Sequence, residues 1–277
     1  MIQLLLLLII VALIGLGLYK LANLTSKQKR EIPRWVDRQF LKAEQAGLIK
    51  KQPGFQTDYL DDYPELKILE DHYATIREEC LAVLVDKDKM VDMKELGGDY
   101  TSGKIHQTDW KTFVFKTGQF IEENCKRCPQ TADLIRQVPG VYNAFFSVLG
   151  PGQRIEPHWG YYKGFIRYHL GVIIPNNNKD KSCYIQVNDN DVDNAKKDKA
   201  LIDKGDKYYW REGEGVLFDD TYLHQAANES DSVRVVLFMD LRRKMPFYLQ
   251  MFNRLFLGAM LFEPSVKKMR QNAKMKD

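Results

Sequence analysis

NAFFSVL (143–149), FIRYHLGVII (165–174), CYIQV (183–187), GVLFDD (215–220) and VRVVLFMDL (233–241) are short runs rich in β-branched and aromatic residues. Gly, Pro, Asn and Asp clusters separate them, and from residue 141 onward the apolar period is two. Several short strands at such spacing argue for an all-β sandwich or barrel rather than βαβ units. The stretches 176–181 and 188–207 are polar enough to read as surface loops.

Upstream the period is helical. Val36, Phe40 and Ala43 recur at the helix repeat within 33–46, and Gly47 closes that segment. A further helix opens at Pro64, where a first turn tolerates proline, and places Leu66, Leu69, Tyr73, Ile76 and Cys80 on one face. A short strand is expected over 110–115 with Phe113 and Phe115 on one face, then a helix after Cys128 that starts at Pro129 and stops at Pro139-Gly140. His72 and His106 read as ordinary core or surface histidines.

With 277 residues, 44% hydrophobic and 28% charged, the chain can bury a substantial core as one domain, or two at most. The formal charge of +4 is modest, and the basic excess gathers near the ends: Lys27, Lys29 and Arg30, then Lys267, Lys268, Arg270, Lys274 and Lys276. That distribution suits an anionic membrane surface better than a nucleic-acid groove, so no nucleic-acid partner is expected. Cys125 and Cys128 form a C-x-x-C without the second pair a zinc site needs, so the four cysteines read as reduced thiols.

Residues 2–19 carry no charge. About 18 residues at 1.5 Å rise reach about 27 Å, close to the ~30 Å hydrocarbon core. A cleaved signal peptide fits less well, because no basic region precedes the apolar run. The expectation is an uncleaved transmembrane helix at 1–20 anchoring the chain to the bilayer. Lys20, Lys27, Lys29 and Arg30 follow it, which would place the main domain in the cytoplasm of a single-pass membrane protein. After Pro246, FYLQMFNRLFLGAMLF (247–262) is apolar nearly all round and reads either as a helix packed on the domain or as one lying in lipid headgroups.

The residues able to carry chemistry sit among the strands. His158 and His224 each flank a turn, and such a pair is the start of a divalent-metal site. An iron site of two histidines and one carboxylate usually draws the acid from two residues after the first histidine, and that position is Gly160. Arg234 lies ten residues beyond His224 and Ser147 eleven before His158, both on strands, while Arg167 and His169 share one strand face. Guanidinium binds carboxylate bidentately and a serine hydroxyl adds a donor, so these four could hold a dicarboxylate. Spacing alone leaves open whether the histidines are unrelated surface groups. Asp219 and Asp220 are possible partners for His224, although acids in a turn are more often solvated.

Taken jointly, FFSVLGPGQRIEPHWG (145–160), IRYHLGVIIP (166–175), GEGVLFDDTYLHQAAN (213–228) and VRVVLFMDL resemble the aspartyl/asparaginyl β-hydroxylase family of iron(II)- and 2-oxoglutarate-dependent oxygenases over about 113–241. The resemblance implies a mainly β, double-stranded β-helix (jelly-roll) fold. It implies that His158 and His224 ligate Fe(II), and that Ser147 and Arg234 hold the distal carboxylate of 2-oxoglutarate. Arg167 and His169 would contact its metal-binding end or the substrate. It implies O2 as co-substrate, with ascorbate supporting turnover. Protein-modifying members also lack an acid at the position of Gly160; Phe115 stands where they carry a tryptophan near the co-substrate pocket. The expected organisation is an anchor at 1–20, a helical flanking region at 21–107, the jelly roll at 108–243 and an apolar helix with a basic tail at 244–277.

That organisation is similar to the bacterial lipid A hydroxylases of the family, and DWKTF (109–113) and CPQTADLI (128–135) resemble that branch too. The expected activity is hydroxylation of an unactivated C–H bond on a lipid acyl chain, with 2-oxoglutarate converted to succinate. The alternative substrate is an Asp, Asn or Pro side chain of a protein. Halogenation and a non-catalytic binding module are more distant readings; neither histidine nor either arginine is missing, as a decayed site would require.

Overall fold

In the computed structural model, which describes residues 26–97 and 109–276, each period-two run forms a strand. The strands are β1 (Trp110–Thr117), β2 (Val141–Leu149), β3 (Arg154–His158), β4 (Phe165–Ile173), β5 (Cys183–Asn188), β6 (Asp206–Tyr209), β7 (Gly215–Phe218), β8 (Leu223–Asn228) and β9 (Arg234–Arg242). The larger sheet runs β1-β2-β9-β4-β7, with Val91–Asp92 and Gln119–Phe120 pairing on β1. The smaller runs β3-β8-β5-β6. The pairings among the described strands are antiparallel, and the chain passes back and forth between the two sheets. Early strands therefore pair with late ones, β2 with β9 and β3 with β8, in the nested order of a jelly roll.

The strict alternation of side chains along a strand decides what faces where. Ala144, Phe146 and Val148 of β2 join Leu237 and Met239 of β9 in a core between the large sheet and its covering helices. Those helices include α2 (Tyr73–Leu84), which supplies Ile76 and Cys80, and α3 (Pro129–Gln137), which supplies Leu134 and Ile135. Phe145, Leu149, Val236 and Phe238 point the other way, into a second core shared with Ile155, Ile185 and Ala226 of the small sheet. Ser147, His169 and Arg234 have the parity of this inner face, so the alternation that builds the core also delivers them between the sheets.

Other elements brace this centre. α1 (Ser26–Gln45) packs Val36 and Phe40 against Tyr162, Phe165 and Leu257. α4 (Phe247–Met260) docks through Leu257 and through buried Asn253, whose Nδ2 donates to the Gly164 carbonyl and whose Oδ1 accepts from the Tyr162 hydroxyl. The opposite side of α4 stays exposed at Phe247, Tyr248 and Leu255. α5 (Pro264–Asn272) follows, and the tail returns to the fold with Met275 N–H donating to Asn124 Oδ1 and Lys276 N–H to the Lys89 carbonyl.

Several expectations are corrected. The helix opening at Pro64 begins as a 3-10 turn, Pro64–Leu66, and breaks at His72, whose Nδ1 meets the Ile68 carbonyl. The 188–207 stretch is no mere surface excursion. It folds into helical turns at Asp191–Lys196 and Lys199–Lys204, buries Ile202 and Asp193, and uses Asn194 Oδ1 to accept from both Trp159 Nε1 and the Leu223 N–H.

The single-pass membrane topology, and the cytoplasmic placement deduced from it, are also corrected. Among the described residues no helix is long and apolar enough to cross a membrane. α4, with 14 residues, rises only about 21 Å against a ~30 Å core, and the longer α1 is rich in charge. The 1–20 segment and His106 lie outside the described residues.

Candidate metal and co-substrate site

His158 ends β3 and His224 stands near the start of β8, and the register pairs them directly. Their rings lie 4.1 Å apart between centroids. Each Nδ1 lies 2.8 Å from the carbonyl oxygen two residues earlier, Glu156 for one and Tyr222 for the other. A carbonyl can only accept, so each Nδ1 carries the proton and each Nε2 keeps a free lone pair. Burial pushes His158 down to about 4 and His224 well below its ordinary range, so both rings stay neutral. Two neutral imidazoles, each oriented by a backbone acceptor, are the form in which histidine ligates a metal.

Gly160 supplies no third ligand, and the fold gives a steric reason. A Cβ added there would overlap the Asp220 carboxylate and come within 2.8 Å of the Asp220 carbonyl, which already accepts the Gly160 N–H at 2.7 Å. Asp220 thus occupies the space of a side chain at 160, in a cavity also lined by His158 and Arg167. Burial raises the Asp220 carboxyl to about 6 against the opposing pull of Arg167. Among the described residues no three His, Cys, Asp or Glu side chains cluster as metal ligands.

Behind the histidines, Ser147, His169 and Arg234 line a small pocket of about 30 Å³ with His158 and His224. It shares Trp110, His158, Arg167 and Phe238 with the larger cavity, of about 180 Å³. Arg234 is 1% exposed, lies over the Trp210 ring and donates one long bond of 3.4 Å to the Ser147 carbonyl. Its Nε has no partner, and among the described residues no carboxylate pairs with it. Burial pulls its pKa down to about 10. A guanidinium in such surroundings needs an anion. Both ring nitrogens of His169, enclosed by Trp210, Phe218 and Phe238, also lack partners. Ser147 Oγ accepts from Trp110 Nε1 at 2.9 Å and keeps its own proton to donate. These groups fit a carboxylate reaching in from the histidines.

Arg167 is placed differently. Its guanidinium stacks on Phe238 and pairs with Asp240 at 2.9 Å and Asp220 at 3.0 Å, so its charge is already answered by two acids. It aligns carboxylates along the wall of the larger cavity.

Two further features were not read from the sequence. Trp110 lines the pocket of Ser147 and Arg234, whereas Phe115 packs on Phe113 and Phe146 in the outer core. The signal was present, since Phe115 shares the parity of Phe113 while Trp110 has the opposite one. Asp219 is not solvated: it is 0% exposed and pairs with Lys163 at 2.9 Å and with Arg243. Nor do Asp219 and Asp220 orient His224, whose partner is the Tyr222 carbonyl. Glu44 of α1 completes the cluster through Lys163 at 2.9 Å and Arg243 at 3.6 Å. Burial alone would raise Asp219, but Arg243 and Lys163 outweigh it and hold the carboxyl well below the usual range. The cluster ties the turn before His224 to α1, a link across 175 positions that no local pattern announces. Cys80, Cys125, Cys128 and Cys183 are buried free thiols, the state read from the sequence, and burial pushes Cys125 up to about 11.

Residues 70–244 match the family model described as aspartyl/asparaginyl beta-hydroxylase. The chain is 32% identical over 213 residues to an ornithine lipid ester-linked acyl 2-hydroxylase of Rhizobium tropici, covering 76% of this chain and 69% of that protein. It is 29% identical over 199 residues to the aspartyl/asparaginyl beta-hydroxylase of Homo sapiens, covering 69% of this chain but 23% of that one. Among solved structures, a prolyl hydroxylase from Trichoplax adhaerens, in complex with a peptide fragment, aligns with a TM-score of 0.44 at 10% identity, covering 84% of this chain and 97% of that one.

Proposed function

The chain belongs to the aspartyl/asparaginyl beta-hydroxylase family, and from that premise we propose that it is an iron(II)- and 2-oxoglutarate-dependent dioxygenase that hydroxylates the acyl chain of a lipid. The observation that carries the cofactor assignment is Arg234, a buried cation with no carboxylate partner among the described residues, in a pocket shared with two neutral imidazoles. The Rhizobium relative, named for acting on an ester-linked acyl group, supports the lipid substrate.

His158 and His224 would hold the metal through Nε2, and Arg234 with Ser147 would take the distal carboxylate of 2-oxoglutarate. Bound together, iron(II) and 2-oxoglutarate supply the activation of O2 that inserts one oxygen atom into a C–H bond. The protein contributes geometry and dryness. The Glu156 and Tyr222 carbonyls fix the two imidazole tautomers, and Trp110 orients the Ser147 hydroxyl. Phe218 and Phe238 exclude water from the pocket that Arg234 closes. Arg167 holds Asp220 beside Gly160, keeping a polar wall where other iron sites carry a ligand.

The test is turnover by the purified chain with iron(II), 2-oxoglutarate and ascorbate. Succinate formed in step with an ornithine-lipid acyl product heavier by one oxygen atom supports the reading. Succinate coupled instead to an Asp- or Asn-containing peptide would favour the alternative suggested by the human relative. No succinate with any substrate would leave a binding module.

A further inference from the structure

A second cavity, of about 80 Å³, lies between the site and α4, walled by Tyr142, Phe165, Phe256, Leu257 and Met260. Thr117, Asn143, Tyr161 and Met269 line both this cavity and the one that holds His158, Gly160 and Asp220. We propose that the two form one passage and that the apolar one seats the acyl tail beyond the reacting carbon, ending at Met260 so that it gauges chain length. This rests on the acyl-chain reading above and specifies how that substrate is held.

The walls argue for a hydrocarbon. Side chains from α4, α5, β2 and β4 present aromatic rings and thioethers, and methionine adapts its shape to an unbranched chain. Three of the polar groups along the way are already engaged. Thr117 Oγ1 donates to Met269 Sδ, Asn143 Nδ2 to Asp240 Oδ2 at 2.8 Å, and the Tyr162 hydroxyl to Asn253 Oδ1 at 2.6 Å. A peptide entering here would bury N–H and C=O groups with nothing arranged to meet them, whereas a polymethylene tail carries none. α4 is pinned in place by Asn253 and Leu257, which holds its last residue, Met260, against the cavity.

Displacement of a fluorescent fatty acid from the purified full chain by decanoate, myristate and stearate tests the seat, with oxygenated acyl product measured separately. The wild type is expected to bind myristate more tightly than decanoate. Met260→Trp should shorten the seat and weaken myristate by about tenfold, the loss of roughly two buried methylenes, while leaving decanoate unchanged. Met260→Ala, which introduces no clash, should improve stearate; thermal melting confirms that both variants are folded. No acid bound by the wild type, or the same change for all three acids in folded variants, overturns the seat. Acyl product whose length profile ignores both substitutions overturns the seat and leaves the reaction standing. Length-dependent binding without acyl product overturns the reaction and leaves the seat.

Discussion

Arg234→Met should make the protein more stable and less able to use 2-oxoglutarate. The Arg234 pKa is pulled from the ordinary 12.5 down to about 10 by burial. At about 1.4 kcal/mol per pH unit, holding that cation charged in the folded chain at neutral pH costs on the order of 3 kcal/mol. Because the side chain is 1% exposed, solvent screens little of this. Methionine keeps the apolar packing but gives up the contact with the Trp210 ring and the long bond to the Ser147 carbonyl, which returns part of the gain. A net stabilisation of about 1–2 kcal/mol is expected, a rise of about 2–6 °C in melting temperature for a domain of this size. Adding 2-oxoglutarate with iron(II) should raise the melting temperature of the wild type and leave the variant unmoved, since ligand stabilises only the state that binds it. The concentration needed for half-maximal succinate formation should rise by about 30-fold or more, the scale of leaving a buried carboxylate without its partner. The measurements are melting by circular dichroism with and without ligand, and succinate release. A variant that melts several degrees lower and keeps the wild-type requirement for 2-oxoglutarate would refute the assignment, because Arg234 would then be a structural cation.

Three more perturbations probe the same centre. His158→Ala and His224→Ala should each lower succinate formation by at least about 100-fold and leave the circular dichroism spectrum unchanged, because both rings face a cavity rather than holding the sheets together. Gly160→Asp should not restore a third ligand: its Cβ would collide with the Asp220 carboxylate, so a loss of about 1–3 kcal/mol and no gain in iron affinity are expected, read by denaturant melts and metal titration. Asp219→Asn leaves Lys163 and Arg243 buried with only Glu44 to share and should cost about 3–5 kcal/mol. Since the folded chain holds Asp219 below its ordinary 3.8, this carboxyl contributes stability that is fully present above pH 3.8 and lost as pH falls through the folded value. The variant's stability should therefore vary less with pH in that acidic window, as measured by denaturant melts across it.

The strands and the inner residues were legible because parity along a strand is a local property. Ser147, His169 and Arg234 alternate with core residues on runs whose apolar pattern is visible in the chain, and their facing follows from counting by twos. The same rule sets Trp110 opposite in parity to Phe113 and Phe115, on the strand face that lines the pocket. The irregularity between Val114 and Lys116 then shifts the β1 register just past that point.

Other relations had no local trace. Whether a turn acid is solvated depends on what packs over it, and Asp219 pairs with Lys163 and Arg243, which Glu44 meets from a third segment. Arg167 has Asp240 set beside it by the strand register and Asp220 brought to its other side by the turn, pairings that no local pattern contains.

From the chain alone came a two-period β domain, its two histidines and the arginine beyond them, since covalent spacing and side-chain alternation are written residue by residue. Only folding decided that those histidines face each other across one pair of strands, that Asp220 fills the space beside Gly160, and that an apolar cavity runs on beneath α4. Charge pairing and cavity shape belong to groups brought together from opposite ends of the domain, and no count along the backbone contains them.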